Sequence, residues 1–320
     1  MTNRHIYQAH LRPVIGSTFQ PTGFPDIGAA TFDRWDPETQ EPIPSLLLES
    51  TQSMANRLEA TCWDTAERRP ISVVEGLPYV ESRSTVDDRF LTSSRLEPHR
   101  LASPYVREAK LDNEPMGTVM AQRFALAPDT PLNMPHIARE VLKIDPFCLL
   151  HGVFFNNKVW TGQPRFTRAV TAVIEAHDVR SAAYGGLKTE LVRRQNIQSE
   201  SEGRANEGYG NIPYQRLEWT ARTITASFTI DAQLLRSYGL PEPAADLLET
   251  IAMYEIRSFL TNGLRLRTAC DLEPVAEPTC TRGTDLPGLD ELSTRIPKLV
   301  SQLGDELGDG KPMIVAYDKA

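Results

Sequence analysis

Hydrophobic and polar positions alternate most cleanly over residues 222–230 (RTITASFTI), where Ile224, Ala226, Phe228 and Ile230 are interleaved with Thr223, Thr225, Ser227 and Thr229. A period of two puts each set on its own face, so the segment predicts a half-buried strand. Residues 264–270 alternate in the same way, with Leu264, Leu266 and Thr268 inward and Arg265 and Arg267 opposite. Two arginines on one sheet face can grip phosphate or pair with acids, and both readings stand. Before them, Pro241 and Pro243 introduce a helix over about Ala244–Thr261, which Asn262-Gly263 stops.

Other segments follow a helical period. Leu47, Met54 and Leu58 recur at i, i+7 and i+11 and predict a helix near Ser45–Thr61. Ser53, Asn56 and Arg57 fall on its other side within an arc of about 100°; a solvated helix face explains them as well as a binding face does. Phe166, Val170, Val173 and Ile174 make a second helical stripe over 165–177, and His177 on that stripe reads as a core or core-edge histidine. Residues 118–126 (TVMAQRFAL) and 147–155 (FCLLHGVFF) read as strands, the second one buried. The first third is rich in proline and glycine, with turns around Pro21, Gly23 and Pro25. Residues 80–116 have little periodicity but hold Arg83, Arg89, Arg95, Arg100 and Arg107, with His99 and Tyr105 among them; 196–211 is a mobile loop by composition. The last fifty or so residues read as an acidic, loop-rich periphery. Strands and helices without a regular βαβα rhythm predict an α+β fold with an antiparallel sheet.

The 320 residues, 40% hydrophobic, suffice for one large domain or two small ones. No apolar run approaches the roughly 18 residues of a membrane span. The first ten residues lack a secretory pattern, so the expected compartment is the cytoplasm. Cys62, Cys148, Cys270 and Cys280 are too scattered for a disulfide scaffold or a paired zinc motif. The net charge of −8 argues against a generic nucleic-acid coat. Its distribution changes that picture: residues 151–222 carry 10 basic and 7 acidic side chains, whereas 1–80 carry 6 and 10. Of the basic residues 27 are Arg and 7 Lys. The planar guanidinium suits phosphate, although a GC-rich genome gives the same bias.

Enzyme motifs are mostly missing. There is no P-loop, no G-x-S-x-G elbow and no H-E-x-x-H. His5 and His10 have the residue type for acid–base cleavage of RNA, but their place in the sequence favours a surface role. Asp26, Asp33 and Asp36 form an acidic cluster among turn residues, where Asp caps backbone. No metal site and no cofactor is expected.

Four longer runs are more specific: Phe19–Ala30, Glu49–Glu59, Glu97–Tyr105 and Asn262–Leu272. Together they resemble the backbone subunit of type I-G (formerly I-U) CRISPR surveillance complexes, in the Cas-seven superfamily, over about residues 8–272. The resemblance implies a ferredoxin-like, RNA-recognition-motif-like palm with inserted finger and thumb segments, near 80–116 and 184–213. Residues 1–272 would form the RNA-binding domain and 273–320 an acidic C-terminal extension. Implied partners are guide RNA, target DNA through the guide, other copies of the chain head to tail, and other subunits of the complex; no membrane is involved. The chain itself is expected not to be an enzyme. Within the resemblance, the expected RNA contacts are Ser53, Asn56 and Arg57, then Arg95, His99 and Arg100, then Lys188, Arg193 and Arg194 beside the glycine pair Gly185-Gly186. The competing reading is a ribonuclease using one of the aspartates or histidines above.

Overall fold

The computed structural model describes residues 3–24, 28–188 and 212–318. In chain order its main elements begin with β1 (His5–Pro13), β2 (Thr31–Trp35), β3 (Pro42–Glu49), α1 (Thr51–Ala60), β4 (Tyr79–Ser84), β5 (Phe90–Ser93), β6 (Lys110–Leu111) and β7 (Glu114–Pro115). There follow α2 (Met116–Arg123), α3 (Met134–Ile144), α4 (Phe147–His151), β8 (Val153–Phe154), β9 (Arg165–Phe166), β10 (Val170–Lys188) and β11 (Ile212–Ile230). The chain continues through α5 (Glu242–Asn262), β12 (Arg265–Arg267), β13 (Cys270–Pro274), β14 (Thr279–Arg282), α6 (Leu289–Leu303) and β15 (Pro312–Tyr317).

The alternating segment 222–230 is the inner half of β11, and Ile224, Ala226, Phe228 and Ile230 are all buried, as expected. β11 pairs on one side with β1 (Tyr7 opposite Phe228) and on the other with β10 (Ala172 opposite Phe228). Side chains directly across antiparallel strands share a face, so the three strands bury one apolar surface. The sheet runs β12-β13-β1-β11-β10-β3-β2, with β14 also on β1. A smaller sheet runs β7-β6-β15-β4-β5, in which β15 and β4 are parallel. The fold is therefore mixed α/β with antiparallel sheets and one parallel pair.

Helix α5 packs on α1, α4, α6 and strand β11 of the large sheet. It is buried on nearly every side from Ala244 to Leu260, which a helix tolerates only when it is apolar all round. The one fully buried acid in that stretch, Glu255, is 0% exposed and therefore needs a partner. Among the described residues no helix is long and apolar enough to cross a membrane.

Several elements differ from expectation for physical reasons. The stripe over 165–177 is not a helix: Val170, Ala172, Ile174 and Ala176 are buried in β10, at a period of two. The β-branched residues there fit a pleated sheet, and the pairing with β11 decides between two periods that a short apolar run leaves open. Residues 118–126 lie mostly in helix α2, where Met116, Met120 and Phe124 recur every fourth residue on the buried side. Residues 147–155 break in the middle: α4 ends at His151, Gly152 takes φ +80°, and β8 follows. The helix near 45–61 begins only at Thr51; Leu47 belongs to β3, and the Ser50 side chain caps the helix by accepting from the Ser53 N–H.

The C-terminal segment 273–320 is not the loop-rich periphery expected. Within it α6 buries Leu292 and Ile296, and β15 sits inside the small sheet between β6 and β4 with Val315 fully buried. Ile296→Ala should therefore lower the unfolding free energy by about 2–5 kcal/mol in a urea titration, the usual cost of emptying a filled core site. An unchanged midpoint would return this segment to the periphery.

Candidate nucleic-acid interface

The expected contact residues divide by burial. On α1, Asn56 is exposed, while Ser53 and Arg57 are half-buried and turned onto Glu49 at the end of β3. The Ser53 hydroxyl donates to Glu49, and Arg57 Nη2 donates to Glu49 Oε1 at 3.1 Å and to the Leu266 carbonyl at 2.7 Å. Arg267 donates to the same carboxylate and to the Leu48 carbonyl at 3.1 Å. One carboxylate thus faces two guanidiniums whose side chains remain 28% and 24% exposed, so the patch keeps one positive charge in excess. For Arg267 the acid-pairing alternative is the one observed. Arg265 stays exposed.

Arg95 and Arg100 are corrected from RNA contacts to core residues. Arg95 Nε lies 2.8 Å from Asp145 Oδ1, both side chains are buried, and its guanidinium stands 3.5 Å over the Phe147 ring. Arg100 grips Glu59 of α1 with two donors, at 3.2 and 2.8 Å, and donates its third bond to the Gly152 carbonyl at 3.2 Å. Neither guanidinium has a free face for a phosphate. A charge leaves water only if it meets its opposite, so these arginines were recruited by Asp145 and Glu59. Arg100 holds φ +49°, a left-handed conformation uncommon for arginine, which the paired fork pins in place.

Lys188 ends strand β10, opposite Ile212. Arg193, Arg194 and Asp26 lie outside the described residues. Asp36 caps a turn by accepting from the N–H groups of Glu38 and Thr39 at 2.8 and 3.1 Å, bonds that lower its pKa. Asp33 is exposed on the edge strand β2. His5 is not a surface residue: it is 2% exposed and reaches Glu249 at 2.9 Å, while His10 points outward from the same strand. His177 sits at the core edge, 2.9 Å from the Ser45 hydroxyl.

His99 is exposed and lines an open cleft of about 480 Å³ at the start of α1. Thr51, Arg100, His151, Phe154 and Arg168 line the same cleft. Its wall depends on Gly152. A Cβ there would meet the Phe166 carbonyl oxygen at 2.9 Å and the Arg168 nitrogen at 3.2 Å, so only glycine lets the α4–β8 turn press against the short connection between β9 and β10 that carries Arg168. Burial, and next the like charge of Arg100, push the Arg168 guanidinium below its ordinary pKa. Sequence reading passed over Arg168, which stands in a stripe assigned to a helix. It also passed over Phe154, assigned to a buried strand but 48% exposed.

Behind the cleft, His151 Nε2 is 3.0 Å from both carboxylate oxygens of Glu255, with both side chains fully buried. Arg95 and Arg100 already balance Asp145 and Glu59, so this third carboxylate has no cation left. Burial pushes Glu255 well up and lowers His151 to about 3, which makes the pair neutral with one shared proton.

Among the described residues no three His, Cys, Asp or Glu side chains converge as metal ligands. What the cleft offers is positive charge, hydrogen-bond donors and an aromatic rim.

Residues 6–181 match the family described as CRISPR-associated protein GSU0053 (Cas_GSU0053). A solved chain titled "CRISPR RNA-guided surveillance complex, pre-nicking" is similar at 12% identity, over 99% of this chain and 96% of that one, with a TM-score of 0.43. The "Crystal structure of Thermofilum pendens Csc2" is similar at 11% identity, over 97% of this chain and 83% of that one, with a TM-score of 0.31. No curated protein matches this chain.

Two outcomes test the buried charges. Arg100→Met should lower stability by about 3–5 kcal/mol in denaturant unfolding, because Glu59 is left buried without its counter-ion and with its bidentate hydrogen bonds unmade; a change below 1 kcal/mol (about the value of an exposed pair) would contradict the burial. The second test is the pH profile of stability. The native His151–Glu255 pair holds one proton, whereas the unfolded groups, titrating at 6.5 and 4.5, hold one between those values, two below 4.5 and none above 6.5. The native state therefore binds more protons above 6.5, and stability falls with rising pH there by up to about 1.4 kcal/mol per unit. Glu255→Gln removes that proton and leaves the unfolded histidine common to both proteins, so the difference between wild type and variant should fall with rising pH throughout the range above about 4.5 and flatten below it. Parallel profiles would refute the neutral pair.

Proposed function

The chain belongs to the CRISPR-associated protein GSU0053 family, and on that premise we propose that it is a guide-RNA-holding subunit of a CRISPR surveillance complex. The observation that carries this reading is a cationic cleft built within the family-matched residues, from Thr51 and His99 to Arg168. The excess positive charge on Arg57 and Arg267 adds a second patch. An acidic chain can hold RNA if a few arginines contact phosphate and many copies share one strand, because linkage multiplies weak contacts. Base pairing then supplies the sequence specificity, and the protein needs only to grip the backbone.

In this reading the chain is the backbone subunit of a type I-G complex in the Cas-seven superfamily, working in the cytoplasm. The large sheet is a ferredoxin-like palm, and the β10–β11 hairpin carrying the 184–213 segment is an inserted digit, as is 80–116. Residues 1–272 supply the RNA-holding surfaces, with Asn56, Arg57, His99, Lys188, Arg193 and Arg194 as contacts, and 273–320 complete the core beneath them. Copies join head to tail and display the guide to target DNA. A heterologous contact of this kind repeats into a helical filament. The chain cuts nothing itself.

Purified protein should bind single-stranded RNA at low salt, with log affinity falling linearly against log salt by about 0.7 per phosphate contacted, and the complex should lengthen with the RNA. No binding at low salt in fluorescence anisotropy, alone or with its partner subunits, would sink the reading. Labelled complementary RNA should stay intact on the assembled complex; evenly spaced cuts abolished by Asp33→Ala would replace it with a nuclease.

A further inference from the structure

Arg168 is singular among the described arginines. Eight others are withdrawn from solvent, and each reaches a carboxylate: Glu49 takes Arg57 and Arg267, and Glu81, Asp145, Glu59, Glu108, Glu249 and Glu277 each take one. Arg168 is half-buried, lies near the like charge of Arg100, and its side chain has no hydrogen-bond or ion-pair partner among the described residues; its Nε is fully covered and unsatisfied. A chain with eight surplus negative charges has acids to spare, yet none of the described ones is placed here. Partly desolvating a cation without a counter-ion costs free energy that an arriving anion returns.

A second group in the cleft is also unspent. His151 is 1% exposed and its Nδ1 finds no partner. With the Glu255 carboxyl protonated and donating to Nε2, the neutral ring carries its one hydrogen on Nδ1, as a donor. The rim is of a different character. Phe154 is 48% exposed, beside the opening, and directly across the β8–β9 ladder stands the exposed Arg165. The volume of about 480 Å³ lies within the range of small-ligand clefts and is far too small for a duplex.

We infer that this cleft seats one nucleotide of a single strand, its phosphodiester on Arg168 and the adjoining base against the Phe154 ring. The inference rests on the RNA-holding reading and gives it a site. A guanidinium fork matches two phosphate oxygens, and an aromatic face accepts any base, which suits a protein that must hold every guide alike. A stacked duplex cannot present a splayed base to the ring, so the site selects single strands.

The test is a salt series of fluorescence anisotropy on the full chain with a single-stranded oligouridylate. Arg168→Ala should make the slope of log affinity against log salt shallower by about 0.7, one phosphate's share. Arg168→Lys should keep the slope while weakening binding, because the charge remains and the fork is lost. Phe154→Ala should weaken binding roughly tenfold at an unchanged slope. Arg295→Ala, exposed on α6 and away from the cleft lining, should change neither. Thermal unfolding by circular dichroism identifies a variant that fails to fold, and Phe154→Ala and Arg168→Lys then carry the test. Wild type that binds while Arg168→Ala and Phe154→Ala both match it would overturn the site and leave the RNA-holding reading intact. Wild type that does not bind at low salt would remove both.

Discussion

Four full charges leave water near the centre of this protein: Arg95 with Asp145 and Arg100 with Glu59. Each pair joins segments far apart in sequence. Glu59 comes from α1, the two arginines from the irregular stretch after β5, and Asp145 from the turn between α3 and α4. Ser94 donates to Asp145 at 2.6 Å, and Arg100 also holds the Gly152 carbonyl. Apolar packing has little directional preference, whereas a bidentate fork accepts one approach. The irregular stretch makes few regular backbone ladders of its own, and these charges fix where it lies. The neutral His151–Glu255 pair follows from the same electrostatics, since a third negative charge there would have no cation to meet.

That constraint bears on how arginine-rich sequences are read. Twenty-seven arginines in an acidic chain suggest a nucleic-acid surface, but the structure gives most of the partly or fully buried ones to acids, and thereby to the fold. The residue proposed to meet phosphate is identified by the absence of a carboxylate among the described residues, a property of three-dimensional placement that composition does not carry. Gly152 belongs to the same account: its lack of a side chain, more than any charge, brings the α4–β8 turn against Arg168.

Where one period operated alone, the sequence was legible. The alternation in β11, the apolar span of α5 and its stop at Gly263 all stand in the structure within a few residues. Short apolar runs were not. Residues 147–155 are buried at both helix and strand positions, so periodicity had nothing to distinguish, and Val170–His177 took the strand period only because β11 lies alongside. On the site, Asn56 and His99 are exposed, as a contact requires, but Arg95 and Arg100 were misjudged because their partners, Asp145 and Glu59, lie some forty to fifty residues away in sequence. Long-range pairing of this kind leaves no local pattern.

The small sheet takes its inner strand from Pro312–Tyr317, laid parallel to Tyr79–Ser84. On the ribosome, β4 emerges long before its neighbour exists, so its inward edge of backbone donors and acceptors stays open through most of synthesis. Non-local parallel pairing is slow to form and vulnerable while it waits. A ribosome that stalls before residue 312 releases a product whose second sheet is split down its middle.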